Sequence, residues 1–234
     1  MFHIAISKYD FNANGLADVR LRLGNIPAEY TVTTKCDGCV PEFATVNFTS
    51  CGKLHTDRFS QSGQSWSFDC YANHNCEVDL NATIGRYGCA LTTLATLINY
   101  YANTYPELNI STTNPGALND YLRGLTIPQG YNKRNEINFG VVRQYSNGTI
   151  KYVGRYDVGN YTQAYLLGQA NLELLSGRPV IFRIFRKDNR YHFIVAVGKC
   201  GDSYIIADPA GGIERLYNPG ETDYIFSGIR IFRP

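Results

Sequence analysis

The sequence predicts an α+β fold, on three observations. Short runs with period-two alternation fill the first quarter of the chain. One strongly helical stretch lies near the middle, and apolar, β-branched runs separated by turns close the chain.

The elements follow in order. Residues 1–58 read as a β-rich module, with strands expected at Phe2–Ile6, Val19–Leu23, Tyr30–Thr34 and Phe43–Phe48, where apolar and polar residues alternate. Between the first two, Asp10-Phe11-Asn12-Ala13-Asn14-Gly15-Leu16-Ala17-Asp18 spells D-x-N-x-N-G-x-x-D. Oxygens of Asp10, Asn12, Asn14 and Asp18 can converge on a structural calcium ion, with Gly15 allowing the sharp turn. Leu21 stands where an EF-hand needs its bidentate glutamate, so the loop is not an EF-hand. The alternative is an Asn/Gly-rich turn between strands. A polar stretch, Thr56 to Gly63, joins this module to the domain expected over 59–234.

In that second part, Leu91, Leu94, Ala95, Ile98 and Tyr101 recur at helical spacing. Tyr161 to Ser176 reads as another helix, stopped by Gly177 and Pro179. Strand-like runs follow at Val180–Phe185, His192–Val197 and Tyr204–Ala207, with a last pair over Tyr224–Phe232 broken at Gly228. No internal repeat or low-complexity tract interrupts the order.

Composition narrows the function. With 22 basic and 20 acidic side chains in 234 residues, neither nucleic acid nor an anionic membrane is expected as the main partner. No apolar run approaches the ~18 residues of a transmembrane helix. The start, Met1-Phe2-His3-Ile4-Ala5-Ile6-Ser7-Lys8, has neither a basic lead nor a long apolar core, so no secretory signal is expected in it. A single methionine, Met1, fits a mature or trimmed chain.

Seven cysteines are the unusual entry: Cys36, Cys39, Cys51, Cys70, Cys76, Cys89 and Cys200. In an oxidising compartment they staple a loop-rich region. In a reducing one, Cys36, Cys39, Cys51 and His55 have the spacing of a three-Cys, one-His zinc site. Disulfides, and with them an extracellular or cell-surface location, are the preferred expectation. Five Asn-x-Ser/Thr sequons, at Asn47, Asn81, Asn109, Asn147 and Asn160, matter only if the source glycosylates.

Cys89 stands where loop becomes helix, in Gly85-Arg86-Tyr87-Gly88-Cys89-Ala90-Leu91. Unpaired N–H groups and the helix dipole favour a thiolate there, and the same groups can bind an oxyanion. Taken alone, Cys89 could equally be a small apolar residue or another disulfide partner. Of four histidines only His192 follows it, 103 residues on, opening an apolar strand where an unpaired imidazole would be costly. Asp208 ends the next expected strand in Ile205-Ile206-Ala207-Asp208-Pro209, and a tight turn over Lys199–Ser203 would bring it beside His192. As a lone feature Asp208-Pro209 reads as a turn.

These pieces occur in order with Phe59-Ser60-Gln61, Trp66, Thr83-Ile84-Gly85-Arg86-Tyr87-Gly88-Cys89-Ala90-Leu91, Leu118–Leu122, Gly177-Arg178-Pro179-Val180, His192–Gly198 and Asp208-Pro209. From about Phe59 to its end the chain resembles the papain-like cysteine peptidases of the bacteriocin-processing, double-glycine type, in their stand-alone branch. The resemblance implies a papain-like fold, with Cys89 as nucleophile, His192 as base, Asp208 as orienting residue and no catalytic cofactor. It also implies an oxyanion-hole glutamine shortly before the nucleophile. Thr83 stands six residues before Cys89 instead, leaving Gln61, Gln64 and Thr83 as candidates.

The expected activity is therefore cleavage of a peptide or isopeptide bond in a peptide or protein substrate, through a thioester acyl-enzyme. Tyr87, Tyr191 and Trp66 could shape the substrate subsites. An alternative of another class is a non-catalytic extracellular binding or assembly module that keeps the fold and associates with itself or a cell-surface partner. With Cys89 assigned to catalysis, six cysteines remain; Cys70 with Cys76 is the favoured pair, and Cys200 needs a distant partner.

Overall fold

The computed structural model describes residues 51–234 throughout and, among the first fifty, the backbone of three strands. These are β1 (Leu16–Arg22), β2 (Glu29–Lys35) and β3 (Ala44–Phe48), paired antiparallel in that order. They overlap three of the four runs read as strands. The expected strand Phe2–Ile6, the calcium-loop residues Asp10, Asn12 and Asn14, and Cys36 and Cys39 lie outside the described residues. Asp18 falls in β1, opposite Thr33.

The larger unit is an antiparallel sheet with helices, the α+β arrangement. Its strands are β4 (Gly52–Lys53), β5 (Lys151–Asp157), β6 (Val180–Arg186), β7 (Tyr191–Cys200), β8 (Ser203–Asp208), β9 (Ile213–Tyr217) and β10 (Tyr224–Arg233). Six run in the order β5-β10-β6-β7-β8-β9, and β4 pairs with β7. Gly52 and Lys53, inside the 1–58 segment, are thus partners of this sheet. Leu54 N–H continues the attachment by donating to Val197 O at 2.7 Å. A disulfide from Cys51 to Cys200, 149 residues apart, fastens the same corner. It supplies the distant partner that Cys200 needs and takes Cys51 out of the alternative zinc set. A second joins Cys70 to Cys76, and Cys89 is free.

Five helices complete the domain: α1 (Ile84–Tyr87), α2 (Cys89–Thr104), α3 (Pro115–Gly124), α4 (Val142–Tyr145) and α5 (Gln163–Leu175). α2 is enclosed, with every residue from Ala90 to Ala102 buried. That goes beyond the one-sided stripe of its sequence pattern: Thr92, Thr93, Thr96 and Asn99 are covered as well. Asn99 is satisfied by donating to Asp57 Oδ2 at 2.9 Å and accepting from Thr113 N–H at 2.7 Å. α5 begins after Thr162, whose hydroxyl accepts from Tyr165 N–H at 3.2 Å, and ends before Gly177 at φ +72°.

The C-terminal run differs from expectation. It is one strand, β10, paired with β6 on one side and β5 on the other; its register with β6 shifts between Phe226 and Gly228, and that with β5 between Ile231 and Phe232. Gly228 is required by closeness: a Cβ there would lie 2.4 Å from Asp157 Oδ1. β5 and β9 complete the sheet at its edges and were not expected as strands.

One irregularity decides the site. β7 and β8 leave their turn with Cys200 opposite Ser203 and Gly198 opposite Ile205. Continued without interruption, this register would set Asp208 opposite Val195, on the far face from His192. The register instead shifts between Ala196 and Gly198, so Val195 faces Ala207 and Asp208 comes onto the face of Ile194 and His192.

Candidate active site

Cys89 is the first residue of α2, and Gly88 is its N-cap. Only glycine fits there, because a Cβ would stand 2.5 Å from Ile84 O. The tight step from α1 to α2 sets the thiol at the start of a sixteen-residue helix, where first-turn N–H groups have no helical acceptor.

His192 lies across from it on β7, opposite Ile184 of β6. Its Nε2 is 2.7 Å from Asp208 Oδ1, and both side chains are buried, at 5% and 4% exposure. With Nε2–H donating to the carboxylate, Nδ1 is the nitrogen left for the thiol. The Cys89 side chain lines the same cleft as His192. Burial opposes a charge on the imidazole, but the bonded Asp208 carboxylate and the neighbouring Cys89 side chain outweigh it and raise the pKa from 6.5 to about 9.

Asp208 is held from three directions. Oδ1 also accepts from Ala210 N–H at 2.9 Å, and Arg215 Nε approaches Oδ2 at 3.4 Å from β9. Burial would raise the carboxyl pKa; the bond and charge of His192, then Ala210 and Arg215, prevail and hold it below its ordinary value. Arg215 is in turn stacked 4.5 Å over the Tyr224 ring. Its role was not legible in the sequence, because it depends on Ile206 facing Arg215 across β8 and β9.

Of the three oxyanion candidates, only Gln61 lines the cleft that holds the thiol. It shares with Cys89 and His192 a cleft of about 330 Å³. Gln61 N–H donates to Pro209 O at 2.9 Å, so the loop that follows Asp208 also holds the glutamine. Its Nε2 donates to Gly85 O at 2.9 Å, which fixes the amide's orientation and leaves a second amide hydrogen; Oε1 is buried and without a partner. Gln64 precedes the 3-10 turn Ser65–Phe68, where its N–H donates to Ser67 Oγ at 2.9 Å. Thr83 precedes α1 and bridges Cys70. Neither lines the cleft.

Tyr87 and Tyr191 form walls of the cleft, with Arg86, Arg186 and Arg190. Tyr87 is stacked on His74, centroids 5.7 Å apart, from the loop closed by Cys70–Cys76. Trp66 is not in the cleft: it packs edge-on to Phe59 at 5.9 Å and donates Nε1–H to Ser60 O at 2.9 Å. Among the described residues no cluster of His, Cys, Asp and Glu is arranged to hold a metal ion. Likewise, none of the described helices is long and apolar enough to cross a membrane.

A thiol and an imidazole thus line one cleft, and the imidazole is bonded to a buried carboxylate behind it. Compared with known families, residues 65–224 match the model of the Peptidase_C39 like family. The matched span contains Cys89, His192 and Asp208; Gln61 falls just outside it. No curated protein matches the chain.

Proposed function

The chain belongs to the Peptidase_C39-like family, and from that premise we propose that it is a cysteine peptidase working through Cys89, His192 and Asp208. The observation that carries this reading is His192, buried, bonded to Asp208 on one side and facing the cleft it shares with Cys89 on the other. His192 takes the thiol proton, and the thiolate attacks the scissile carbonyl. The imidazolium then donates that proton to the leaving amine, and water releases the acyl group from sulfur. Asp208 keeps Nε2–H engaged so that Nδ1 faces the sulfur throughout.

The oxyanion of the tetrahedral intermediate is received by first-turn N–H groups of α2 and by the second amide hydrogen of Gln61. Gln61 thus takes the part expected of a glutamine just before the nucleophile, although it precedes Cys89 by 28 residues. The Cys51–Cys200 and Cys70–Cys76 disulfides support an extracellular working place. Residues 1–58 are read as a separate β-rich module ahead of the peptidase domain, fastened to its sheet through residues 51–54.

The test is proteolysis of an unstructured protein such as casein, with the epoxide inhibitor E-64 as a covalent trap. Cleavage abolished by Cys89→Ser, with E-64 attached to Cys89 by mass spectrometry, is expected. E-64 attached elsewhere, or cleavage retained in Cys89→Ser, would refute the assignment.

A further inference from the structure

The walls of the cleft carry a charge pattern that the catalytic chemistry does not need. Arg86 comes from α1, three residues before the thiol. Arg186 and Arg190 come from the two ends of the β6–β7 turn, just before His192. All three line the same cleft, and none of its lining residues is Asp or Glu. The chain as a whole is nearly balanced, so this concentration of guanidinium groups is local.

Their existing partners do not neutralise them. The one carboxylate between the turn arginines, Asp188, is held by Arg190 through Nε at 3.1 Å and Nη2 at 2.6 Å, and stands 3.8 Å from Arg186 Nε, so Arg186 is the less engaged of the two. Arg86 has no carboxylate within ion-pair distance among the described residues. Its guanidinium stands 5.7 Å from the Tyr87 ring centroid. The arginines are exposed enough to reach a ligand: the Arg186 and Arg190 side chains are 37% and 58% accessible. Tyr191, 56% exposed, adds a hydroxyl at the same rim. Guanidinium groups from two elements, converging on one concavity with a cationic surplus, make a receptor for a planar anion.

We propose that this cleft selects substrates bearing a carboxylate beside the bond that Cys89 attacks, with Arg86 and Arg186 as its principal partners. The inference rests on the peptidase reading of the cleft. An acidic side chain and a free peptide terminus share this chemistry, and both would be steered toward the sulfur by the same field.

The test compares two alkylating agents that differ only in charge, iodoacetate and iodoacetamide, with modification of Cys89 followed by mass spectrometry at low salt. The readout is the ratio of the two rate constants, which is insensitive to the intrinsic nucleophilicity of the sulfur. Replacing both Arg86 and Arg186 by Gln is expected to lower the iodoacetate-to-iodoacetamide ratio by about fivefold, the size of one modest ion pair. Replacing both by Lys should keep most of it, and high salt should erode it in the unaltered chain. A ratio that Arg86→Gln and Arg186→Gln leave unchanged would overturn the proposal, since the imidazolium alone would then account for any anion preference.

Protection experiments separate the two sources. N-acetylglutamate α-amide carries only a side-chain carboxylate, and N-acetylglutamine only a terminal one. Protection of Cys89 from iodoacetamide by the first assigns an acidic side chain, and by the second a peptide terminus; protection by neither overturns the subsite. The peptidase reading fails separately, if the unaltered chain reacts with iodoacetamide no faster than glutathione does.

Discussion

The two sides of the cleft are built in opposite ways. On the sheet side, His192 and Asp208 are buried, and the carboxylate has three neighbours holding it. On the helix side, Cys89 is half-buried, Gln61 Oε1 has no partner, and Tyr87 and Arg86 face solvent. The difference separates two tasks. The group that must keep one orientation is enclosed in a hydrogen-bonded lattice. In the proposed mechanism the groups that meet a substrate, the Cys89 thiol and the Tyr87 and Arg86 side chains, are the half-buried and exposed ones.

The contrast can be broken most directly at the imidazole. His192→Ala should lower kcat by about 10³-fold or more, because it removes the base and the later acid together. Steady-state kinetics on casein-derived peptides checks this, and a loss below tenfold would contradict the division of roles. Next in size is the helix side. Gln61→Ala is expected to cost about 10²–10³ in kcat with little change in KM, as for one lost oxyanion donor. Gln64→Ala, outside the cleft, serves as the control and should stay close to the unaltered chain.

The disulfides extend the comparison to stability. By loop-closure entropy, removing Cys51–Cys200, with its separation of 149 residues, should cost about 5 kcal/mol, against about 2 kcal/mol for Cys70–Cys76 at a separation of 6. Urea denaturation of the paired Cys→Ser variants reads the difference. The smaller loss on the Cys70–Cys76 side should nonetheless raise KM, since that loop presents His74 to Tyr87.

The subtlest effect is in pH. His192 binds its proton more tightly folded, at about 9, than at its ordinary 6.5. The stability it contributes is therefore complete below about pH 6.5 and lost as pH rises through about 9. Asp208, held below its ordinary value, contributes above that value and loses its share as pH falls through its folded pKa. Chemical denaturation across pH should show the alkaline decline in the unaltered chain and a flatter curve in His192→Ala.

What the sequence disclosed follows the same divide. The helix α2 and the strand opening at His192 were legible, because each is a local pattern: a 3.6-residue period and an apolar run. Pairing Asp208 with His192 was legible only as a neighbouring-strand argument. The register shift near Val197 that puts both on one face has no local signature. Gln61 was one of three candidates, and only its bonds to Pro209 and Gly85 distinguish it. Arg215, Arg86, Arg186 and Arg190 escaped notice because their meeting depends on tertiary contacts between distant segments. β5 was missed for another reason: its apolar residues are half-buried tyrosines and a valine at an edge, interrupted by Gly154.

The central claim is that His192, aligned by Asp208, activates Cys89. The rate of Cys89 modification by iodoacetamide at pH 6, in the unaltered chain and in His192→Ala, tests it most directly. A rate well above that of glutathione, falling at least about tenfold in His192→Ala, is the predicted result. Equal rates in the two proteins would contradict the account.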